Sequence, residues 1–478
     1  MSKRIILFEL NEVPFRIIDQ FCRWHPESGF ATRLDEFQQF ETVTQEVGYL
    51  SPWRTWPSVH RGVNDAKHFI YDFGQDLTDV DKAFPPVWRL LAQAGISTGV
   101  CGSLHTYPLP KDLDNYAFYL PDTFAAGSEC FPNKLDVFQR FNLTMARESG
   151  RNVSRHIPWK ESLSLLANAP ELGFKLSTAL DVGMQLLSER QKNWLKVRRR
   201  TYQVVLAFDV FMKQLQDTRP QFCSFFTNHV ASSLHRFWAA AFPDEYQEFG
   251  FDDAWVETYS KEIDFTMQKF DGFFRRLMAF VDANPEFALW VTTSMGQAAT
   301  KAQPLETQLY VKDLTKFMAA MGFEKDEWSR MPAMLPQVNV RLVETRAAAY
   351  RDALENLVID GWPVQFRQAD HGFFSIDLGH CNLHEKPQFC QYRGKTVSYE
   401  SMSLENVEIE DKSNTTAYHI PQGCLLVYDP LRPKRGKDAP KSPATRTKIS
   451  TLDIAPTILK NYSVPIPDYM QKPIPLEV

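Results

Sequence analysis

The apolar run IILFEL at residues 5–10 decides the fold, because it is the first of five short runs that are bounded by turn-forming residues and read as buried strands. The other four are residues 97–101, 221–227, 288–293 and 424–428. Helical patterns, such as residues 85–94 and 257–281, lie between several of them. This alternation predicts an α/β fold with a mostly parallel central sheet flanked by helices on both faces. The residues that follow each strand are therefore the first candidates for a functional site.

Composition limits the class of protein. The 478 residues predict one main body with insertions rather than a string of small modules. A hydrophobic content of 44% with 23% charged residues is typical of a globular chain. The formal net charge of -5 offers no general positive field, so we expect no nucleic-acid partner. Basic clusters at 190–200 and 432–441 are interpreted as solvated faces, with an anionic lipid or polymer as the alternative.

Cysteine usage and the amino terminus bear on the compartment. The seven cysteines are scattered and form no CxxC pair, which argues against a disulfide framework or a zinc ribbon. The apolar run of MSKRIILFEL is broken by Glu9 and is too short for a secretory signal. No apolar stretch approaches the ~20 residues that a transmembrane helix needs. We therefore expect a cytoplasmic protein without a transmembrane segment.

The pattern of strands and helices divides the chain into five parts. Residues 1–104 form the first part of the α/β core, and residues 105–205 form a helix- and loop-rich insertion that would roof the site. Residues 206–337 continue the core. Residues 338–400 read as strand, helix, strand and strand, which predicts a small α+β appendage, and residues 401–478 close the core.

The segment TLDIAPTIL at 451–459, followed by VPIPDYM, resembles the "lDiaPTiL…G.p.P" segment of the alkaline phosphatase superfamily. The resemblance covers roughly residues 5–105, 220–300 and 415–470, and it is closest to the phosphodiesterase and nucleotide pyrophosphatase-like members. It implies an alkaline phosphatase-like fold, with metal ligands and a nucleophile after the strands of the central sheet.

The first position implied by the resemblance lies in FELNEVP, where family members carry a metal-binding Asp after the first strand. Glu9 and Asn11 flank the corresponding place. Carboxylate and amide oxygens can coordinate a divalent cation, but Asn11 can equally cap the turn into the next helix. We assign Glu9 to a metal site and Asn11 to substrate binding.

The second position is the loop SPWRTWPSVHRG at 51–62, which resembles the nucleophile loop of the family. Thr55 fits the PxxTxP spacing, whereas Ser51 directly precedes a proline and has the stronger claim to cap the helix. Both hydroxyls are candidates for a catalytic role, since a helix amino terminus can hold a phosphoryl oxygen. The neighbouring Trp53, Arg54 and Trp56 are candidates for substrate binding, and the two tryptophans are either core or a stacking platform.

Two histidines match one metal site of the family. His235, in TNHVASSLHRFW, matches the metal-binding His of a "D…H.yW" element, but the Asp partner falls at Ala231. His229 and Asn228, at the end of the same strand, are the alternative candidates to replace it, and His229 is assigned to the metal site. His419, in AYHIPQGCLLVYDP, matches the His that completes this site. The resemblance therefore predicts that His235 and His419 converge at the carboxyl end of the sheet.

The second metal site of the family is rewritten. Where its "sDHGm" should follow a strand, the chain reads SMGQ at 294–297, and hydroxyl and thioether groups are poor ligands for zinc. We expect at most one divalent metal ion, zinc or manganese. The DHG string at 370–372 lies in the predicted appendage and is interpreted as coincidence. His105, after the strand at 97–101, is a further catalytic candidate that either contacts a substrate or only begins the insertion.

These assignments predict an enzyme, a hydrolase or a transferase. Its substrate would be a small molecule or glycan that carries a phosphate ester, a phosphodiester or a sugar nucleotide, and its site would be mononuclear or metal-free. The alternative is a catalytically inactive binding or scaffold protein that retains the fold. Fold alone does not separate the two.

Overall fold

A central eight-stranded sheet organises the protein. The computed structural model describes residues 2–147, 152–153, 157–246, 250–369, 372–383, 386, 388–432 and 446–476. The strands of the sheet are β1 (Arg4–Leu10), β2 (Gln38–Val43), β3 (Thr98–Cys101), β4 (Tyr116–Leu120), β5 (Phe222–Thr227), β6 (Phe287–Thr292), β19 (Gln422–Tyr428) and β20 (Thr447–Ser450). Their spatial order is β20-β2-β19-β6-β1-β5-β3-β4. Strand β19 runs antiparallel to its neighbours β6 and β2, whereas the other neighbouring strands are parallel.

Helices cover both faces of this sheet. The helices of the chain are α1 (Phe15–Trp24), α2 (Gly29–Arg33), α3 (Pro52–Arg61), α4 (Asp65–His68), α5 (Thr78–Ala83), α6 (Val87–Gln93), α7 (Asp136–Arg147), α8 (Trp159–Ala167), α9 (Ala169–Leu172), α10 (Leu176–Gln191), α11 (Arg199–Thr218), α12 (His229–Ala241), α13 (Asp253–Tyr259), α14 (Glu262–Ala283), α15 (Leu314–Ala320), α16 (Ala347–Glu355) and α17 (Ile454–Asn461). The predicted α/β class, with a mostly parallel sheet flanked by helices, is confirmed.

Strand β1 lies at the centre of the sheet and faces two separate cores. Ile6, Phe8 and Leu10 belong to one cluster with residues of α1, α11, α12 and α14. Ile5 and Leu7 belong to the other, with residues of α3, α6 and α17. Because side chains alternate along a strand, a strand buried on both faces reads as one continuous apolar run.

The remaining strands lie outside the central sheet. They are β7 (Gly296–Ala299), β8 (Thr307–Val311), β9 (Trp328–Met331), β10 (Val338–Leu342), β11 (Leu357–Ile359), β12 (Trp362–Pro363), β13 (Gln365–Gln368), β14 (Phe373–Asp377), β15 (Phe389–Tyr392), β16 (Lys395–Ser398), β17 (Leu404–Glu408) and β18 (Ala417–Ile420). Two four-stranded sheets, β13-β14-β10-β9 and β12-β11-β15-β16, surround α16 and share a third core around Tyr350.

The structure differs from two of the predicted boundaries. Strand β4 pairs with β3 in the central sheet, although it lies inside the stretch predicted as an insertion. The third core includes Leu309 and Phe317, so the α+β appendage begins before residue 338. Asp370 and His371 of the DHG string, and residues 433–441 of the second basic cluster, lie outside the described residues. Among the described residues, no helix is long and apolar enough to cross a membrane.

Candidate metal centre

The candidate site begins where β1 ends. Glu12 is the second residue of the turn that follows the strand and has φ +58°, in the left-handed region that residues other than glycine adopt only occasionally. It is 1% exposed. Such strained positions persist only where surrounding contacts hold them, and they gather at functional sites. The contacts around Glu12 therefore hold this strained residue in place at the edge of the sheet.

Two histidines reach the same edge by different routes. His235 lies on α12, the helix that follows β5. His419 lies on β18, which precedes the antiparallel strand β19, so the amino end of β19 lies beside the carboxyl end of β6. The topology explains why one ligand candidate follows its strand while the other precedes it.

The three side chains meet at one carboxylate oxygen. Nε2 of His235 lies 2.8 Å from Oε2 of Glu12, and Nε2 of His419 lies 3.3 Å from the same atom. The centroids of the two imidazole rings are 5.1 Å apart. Ligand atoms of all three residues lie within 4.8 Å of one another. Zinc holds its ligands at about 2.0–2.1 Å, so two ligands of one tetrahedral ion stand roughly 3.4 Å apart. The cluster is close to that spacing.

The backbone fixes which ring nitrogen faces the cluster. Nδ1 of His235 donates to the carbonyl oxygen of Ala417 at 2.7 Å, and Nδ1 of His419 donates to that of Leu50 at 2.7 Å. A neutral imidazole that donates from Nδ1 presents a lone pair at Nε2. Two lone pairs and a carboxylate oxygen then converge on one point, where either protons or a cation must reside. Metal-ligating histidines are commonly oriented by this kind of second hydrogen bond.

Charge within the cluster is strongly coupled. Burial by itself raises the pKa of the Glu12 carboxyl, but the His419 and His235 rings outweigh that effect and hold its pKa well below the usual range. Burial lowers the pKa of His419, whereas the Glu12 charge raises it, and the net direction is upward. Glu12 is therefore an anion at neutral pH, as a metal ligand must be.

Amide groups complete the contacts of Glu12. Nδ2 of Asn11 lies 2.9 Å from Oε1 of Glu12, and Nε2 of Gln297 donates to its Oε2. Gln297 lies on β7 directly opposite His419 on β18, so the strand pair places them together. Asn11 in turn accepts from Nε1 of Trp56 at 2.7 Å. Asn11 thus positions Glu12 and does not simply cap a turn.

The loop hydroxyls lie where α3 begins, but their roles differ from expectation. Ser51 occupies the N-cap position of α3, yet its side chain makes no cap hydrogen bond, and its buried Oγ has no partner among the described residues. Thr55 is inside the helix, where its hydroxyl contacts the Ser51 carbonyl oxygen at 3.1 Å and donates to Oγ of Ser294 at 2.8 Å. The interpretation that the Ser51 side chain caps α3 is therefore wrong, and of the two catalytic candidates Thr55 is the one whose hydroxyl is hydrogen-bonded.

The candidates for substrate binding in this loop are engaged in packing. Trp56 is fully buried and stacks on His60, which leaves no face for a ligand. Arg54 is 7% exposed, contacts the rings of Tyr49 and Tyr71, and donates to the Tyr49 carbonyl oxygen at 2.9 Å. These contacts hold both side chains at the start of α3.

Trp53 and His105 form part of one aromatic cluster. The Trp53 ring contacts Phe73 and Phe124. His105 donates from Nε2 to the Trp53 carbonyl oxygen at 2.9 Å, and its ring stacks on Phe73. Burial lowers the pKa of His105 to about 3, so the ring is neutral at pH 7. Among the two alternatives for His105, the structure places it where it ties the 102–110 segment to α3.

Glu9 and His229 lie away from the cluster. Because side chains alternate along β1, Glu9 lies on the same face as Ile5 and Leu7, which is the face that packs against α3. Its Oε1 pairs with Nε2 of His60 on α3 at 2.8 Å. The His229 ring packs against Phe273 of α14, and burial lowers its pKa to about 3. The structure thus brings His235 and His419 together with Glu12, and it brings neither Glu9 nor His229 to them.

A buried serine–histidine pair in the same region has the wrong protonation for a nucleophile and base. Oγ of Ser58 lies 2.9 Å from Nε2 of His68. Nδ1 of His68 accepts the backbone N–H of Ile70 at 2.9 Å, so Nε2 carries the proton and donates to Ser58. His68 therefore cannot take a proton from Ser58, and the pair is a structural contact.

Sequence reasoning missed Glu12 and Gln297. Glu12 is visible in FELNEVP as a second acid after the strand, and the alternation of side chains along β1 could have separated it from Glu9. The position of Gln297 depends on the pairing of β7 with β18, more than a hundred residues away in sequence.

Comparisons with known proteins identify similar folds at low identity. No protein-family model matches the chain. No curated protein matches it. Murine ectonucleotide pyrophosphatase/phosphodiesterase 5 is similar in structure, with 9% identity and a TM-score of 0.40 over 97% of this chain and 96% of that chain. The human protein of the same name has 9% identity and a TM-score of 0.39 over 98% and 97%. Phosphonoacetate hydrolase from Sinorhizobium meliloti 1021, in complex with phosphonoformate, has 14% identity and a TM-score of 0.36 over 97% and 96%.

Proposed function

We propose that the protein is a metal-assisted enzyme acting on a phosphate ester or phosphodiester, with one divalent ion, zinc or manganese, held by Glu12, His235 and His419. The observation that carries the proposal is the convergence of two histidine Nε2 atoms on one buried carboxylate oxygen. Two histidines with one glutamate form a common catalytic zinc set, which leaves the fourth position open. The resemblance of the sequence to the alkaline phosphatase superfamily supports the same class of substrate.

The donor set fits such an ion. Nitrogen and carboxylate ligands suit zinc and manganese, and the carbonyls of Ala417 and Leu50 hold both rings in the ligating tautomer. A bound divalent ion would polarise a phosphoryl oxygen and favour a nucleophile at neutral pH. The protein supplies rigid placement, because Glu12 is tied to Asn11 and Gln297 at the end of a central strand.

Ser51 is the hydroxyl that we assign to the reaction. It directly follows Leu50, whose carbonyl orients His419, and its buried oxygen has no competing partner among the described residues. It also stands at the amino terminus of the ten-residue helix α3, where helix N–H groups favour a phosphoryl oxygen. Thr55, whose hydroxyl is already engaged with Ser294, would position this turn.

A second candidate function is a non-catalytic binding protein in which the cluster is a structural ion pair. The observation that favours it is the amide of Gln297, which already donates to the same Glu12 oxygen that both histidines approach. In that case protons, rather than a metal ion, would fill the cluster.

Turnover of simple esters separates the two. Protein loaded with zinc or manganese is assayed with p-nitrophenyl phosphate and bis(p-nitrophenyl) phosphate. Each assay is run with and without an alcohol acceptor, which distinguishes hydrolysis from phosphoryl transfer. We expect turnover that falls at least 100-fold in Ser51→Ala. The matched control is Thr258→Ala, which removes a hydroxyl that, within the described part of the chain, donates to the Ala254 carbonyl oxygen. Bound metal without turnover of either ester would reject the enzyme and leave the binding protein.

A further inference from the structure

Helix α10 is inverted: it buries polar side chains and exposes apolar ones. Its buried residues are Thr178, Gln185 and Glu189. Its opposite face carries an apolar stripe whose side chains are 61–77% exposed, namely Leu176, Leu180, Met184 and Leu187. Their spacing of four, four and three residues keeps them on one side of a helix. An amphipathic helix in a globular protein normally faces the other way.

Specific contacts hold this inverted orientation. Glu189 forms an ion pair with Arg199 of 2.8 Å, and Gln185 donates to the Leu195 carbonyl oxygen at 2.9 Å. Asp181 accepts from the Tyr202 hydroxyl at 2.9 Å. Because the polar face is docked through these paired groups, rotation of α10 to bury the stripe would break buried polar contacts. The exposure of the stripe is a property of the fold.

Helix α8, which precedes α10 in the sequence, also exposes apolar side chains, although its buried residue, Leu165, is apolar as well. Trp159, Leu163 and Leu166 are exposed at 74%, 65% and 66%. Among the described residues, eight of the seventeen exposed large apolar side chains fall between residues 159 and 187. Scattered single exposed residues need no explanation, but such a concentration marks a contact surface.

The exposed charges beside these helices are mainly basic. Between residues 159 and 192 the four basic side chains, Lys160, Lys175, Arg190 and Lys192, are all exposed, whereas of the four acids Glu171 is exposed, Glu161 and Asp181 are half-buried, and Glu189 is buried in its ion pair with Arg199. The formal charges of this stretch cancel, but its exposed charges are mainly positive, whereas the chain as a whole has a net charge of -5. An apolar ridge flanked by exposed lysine and arginine, with a tryptophan at a helix end, suits the boundary between lipid headgroups and acyl chains.

The same charges disfavour a second copy of the chain as the partner. Lys175 stands at the amino end of α10, and Arg190 and Lys192 stand at its carboxyl end. Antiparallel pairing of two α10 helices would bring Lys175 of one copy towards Arg190 of the other, and parallel pairing would bring like residues together. Either arrangement places positive charges in opposition.

We propose that α10 presents a docking surface for an anionic lipid bilayer, on which the protein rests with the apolar stripe inserted among the headgroups. The proposal is independent of the metal centre. A peripheral attachment of this kind combines apolar burial with attraction to anionic lipid, so it weakens as salt rises.

Vesicle flotation tests the surface directly. The full-length protein is mixed with vesicles of phosphatidylcholine alone or with 30% phosphatidylglycerol, and the bound fraction is measured. We expect binding to the anionic vesicles that falls at least tenfold when Leu176, Leu180, Met184 and Leu187 are all changed to Ser. It should also fall at least tenfold in Lys175→Glu/Arg190→Glu/Lys192→Glu.

The matched control is Trp362→Ser/Phe389→Ser, which removes two exposed apolar side chains from the appendage and should bind as wild type does. Circular dichroism and metal content should be unchanged in all three variants. Failure of the wild-type protein to bind anionic vesicles would overturn the proposal. A dimer in light scattering that the stripe variant dissociates, without vesicle binding, would assign the surface to self-association instead.

Discussion

Replacement of Glu12 by Gln tests whether its charge holds the two histidine rings. The carboxylate is 1% exposed and faces Nε2 of His235 at 2.8 Å and Nε2 of His419 at 3.3 Å. Hydrogen bonds to charged groups contribute about 1.5–3 kcal/mol each, and loss of one partner of a buried pair costs roughly 3–5 kcal/mol. We expect the metal-free protein at pH 6 to lose about 3 kcal/mol of unfolding free energy.

The measurement is urea unfolding of chelator-treated protein, followed by tryptophan fluorescence. Glu27→Gln is the matched control, because Glu27 lies 3.7 Å from His25 but its side chain is 77% exposed. Surface substitutions of this kind usually change stability by less than about 0.5 kcal/mol. If Glu12→Gln is no more destabilising than the control, or if it stabilises the protein, the carboxylate does not hold the rings and the account of the cluster is wrong.

Three further predictions concern other buried side chains: the hydroxyls of Thr55 and Ser51, the amide of Gln297 and the carboxyl of Glu46. Thr55→Ala should destabilise by ~1 kcal/mol, since its hydroxyl bonds Ser294, whereas Ser51→Ala should leave the melting temperature nearly unchanged; equal melting temperatures for both variants would contradict this. Gln297→Met should weaken zinc binding by about 10–100-fold in calorimetry, since it removes a donor to the ligating carboxylate, and wild-type affinity would contradict its supporting role. Burial raises the pKa of the Glu46 carboxyl from 4.5 to about 7, so the folded protein binds this proton more tightly than the unfolded chain does. The free energy of unfolding should therefore fall as pH rises from 4.5 to 7. Glu46→Gln should flatten this part of the pH profile measured by urea unfolding, and an unchanged slope would assign the pH dependence to other groups.

The fold class could be predicted because strands buried on both faces have continuous apolar sequences. Strand β1 shows this, with six of its seven residues buried. Strand β2, of sequence QQFETV, has one buried residue and no such signal, and it was not predicted. The pattern at 257–281 predicted one helix, whereas the structure ends α13 at Tyr259 and begins α14 at Glu262. Short polar strands and breaks within a helical pattern depend on tertiary contacts that local periodicity does not record.

One part of the candidate site could likewise be predicted from the sequence, and another part could not. The approach of His235 to His419 followed from motif resemblance, and their ring centroids are 5.1 Å apart. Glu9 was the expected acid because it flanks the place where the family that the chain resembles carries a metal-binding Asp, but side-chain alternation turns it towards His60 on α3. Glu12 reaches the cluster through a left-handed turn, a backbone feature that the residue type alone does not predict.

We propose that Glu12, His235 and His419 bind one divalent ion, and cobalt titration of the metal-free protein measures this binding. Cobalt in a nitrogen and oxygen site gives visible absorption bands that report the number of ions and their geometry. The account predicts one ion per chain, with bands that are displaced by zinc, lost in His235→Ala/His419→Ala, and retained in the matched buried pair variant Glu9→Gln/His60→Ala. Two ions per chain, or bands that persist without His235 and His419, would contradict it.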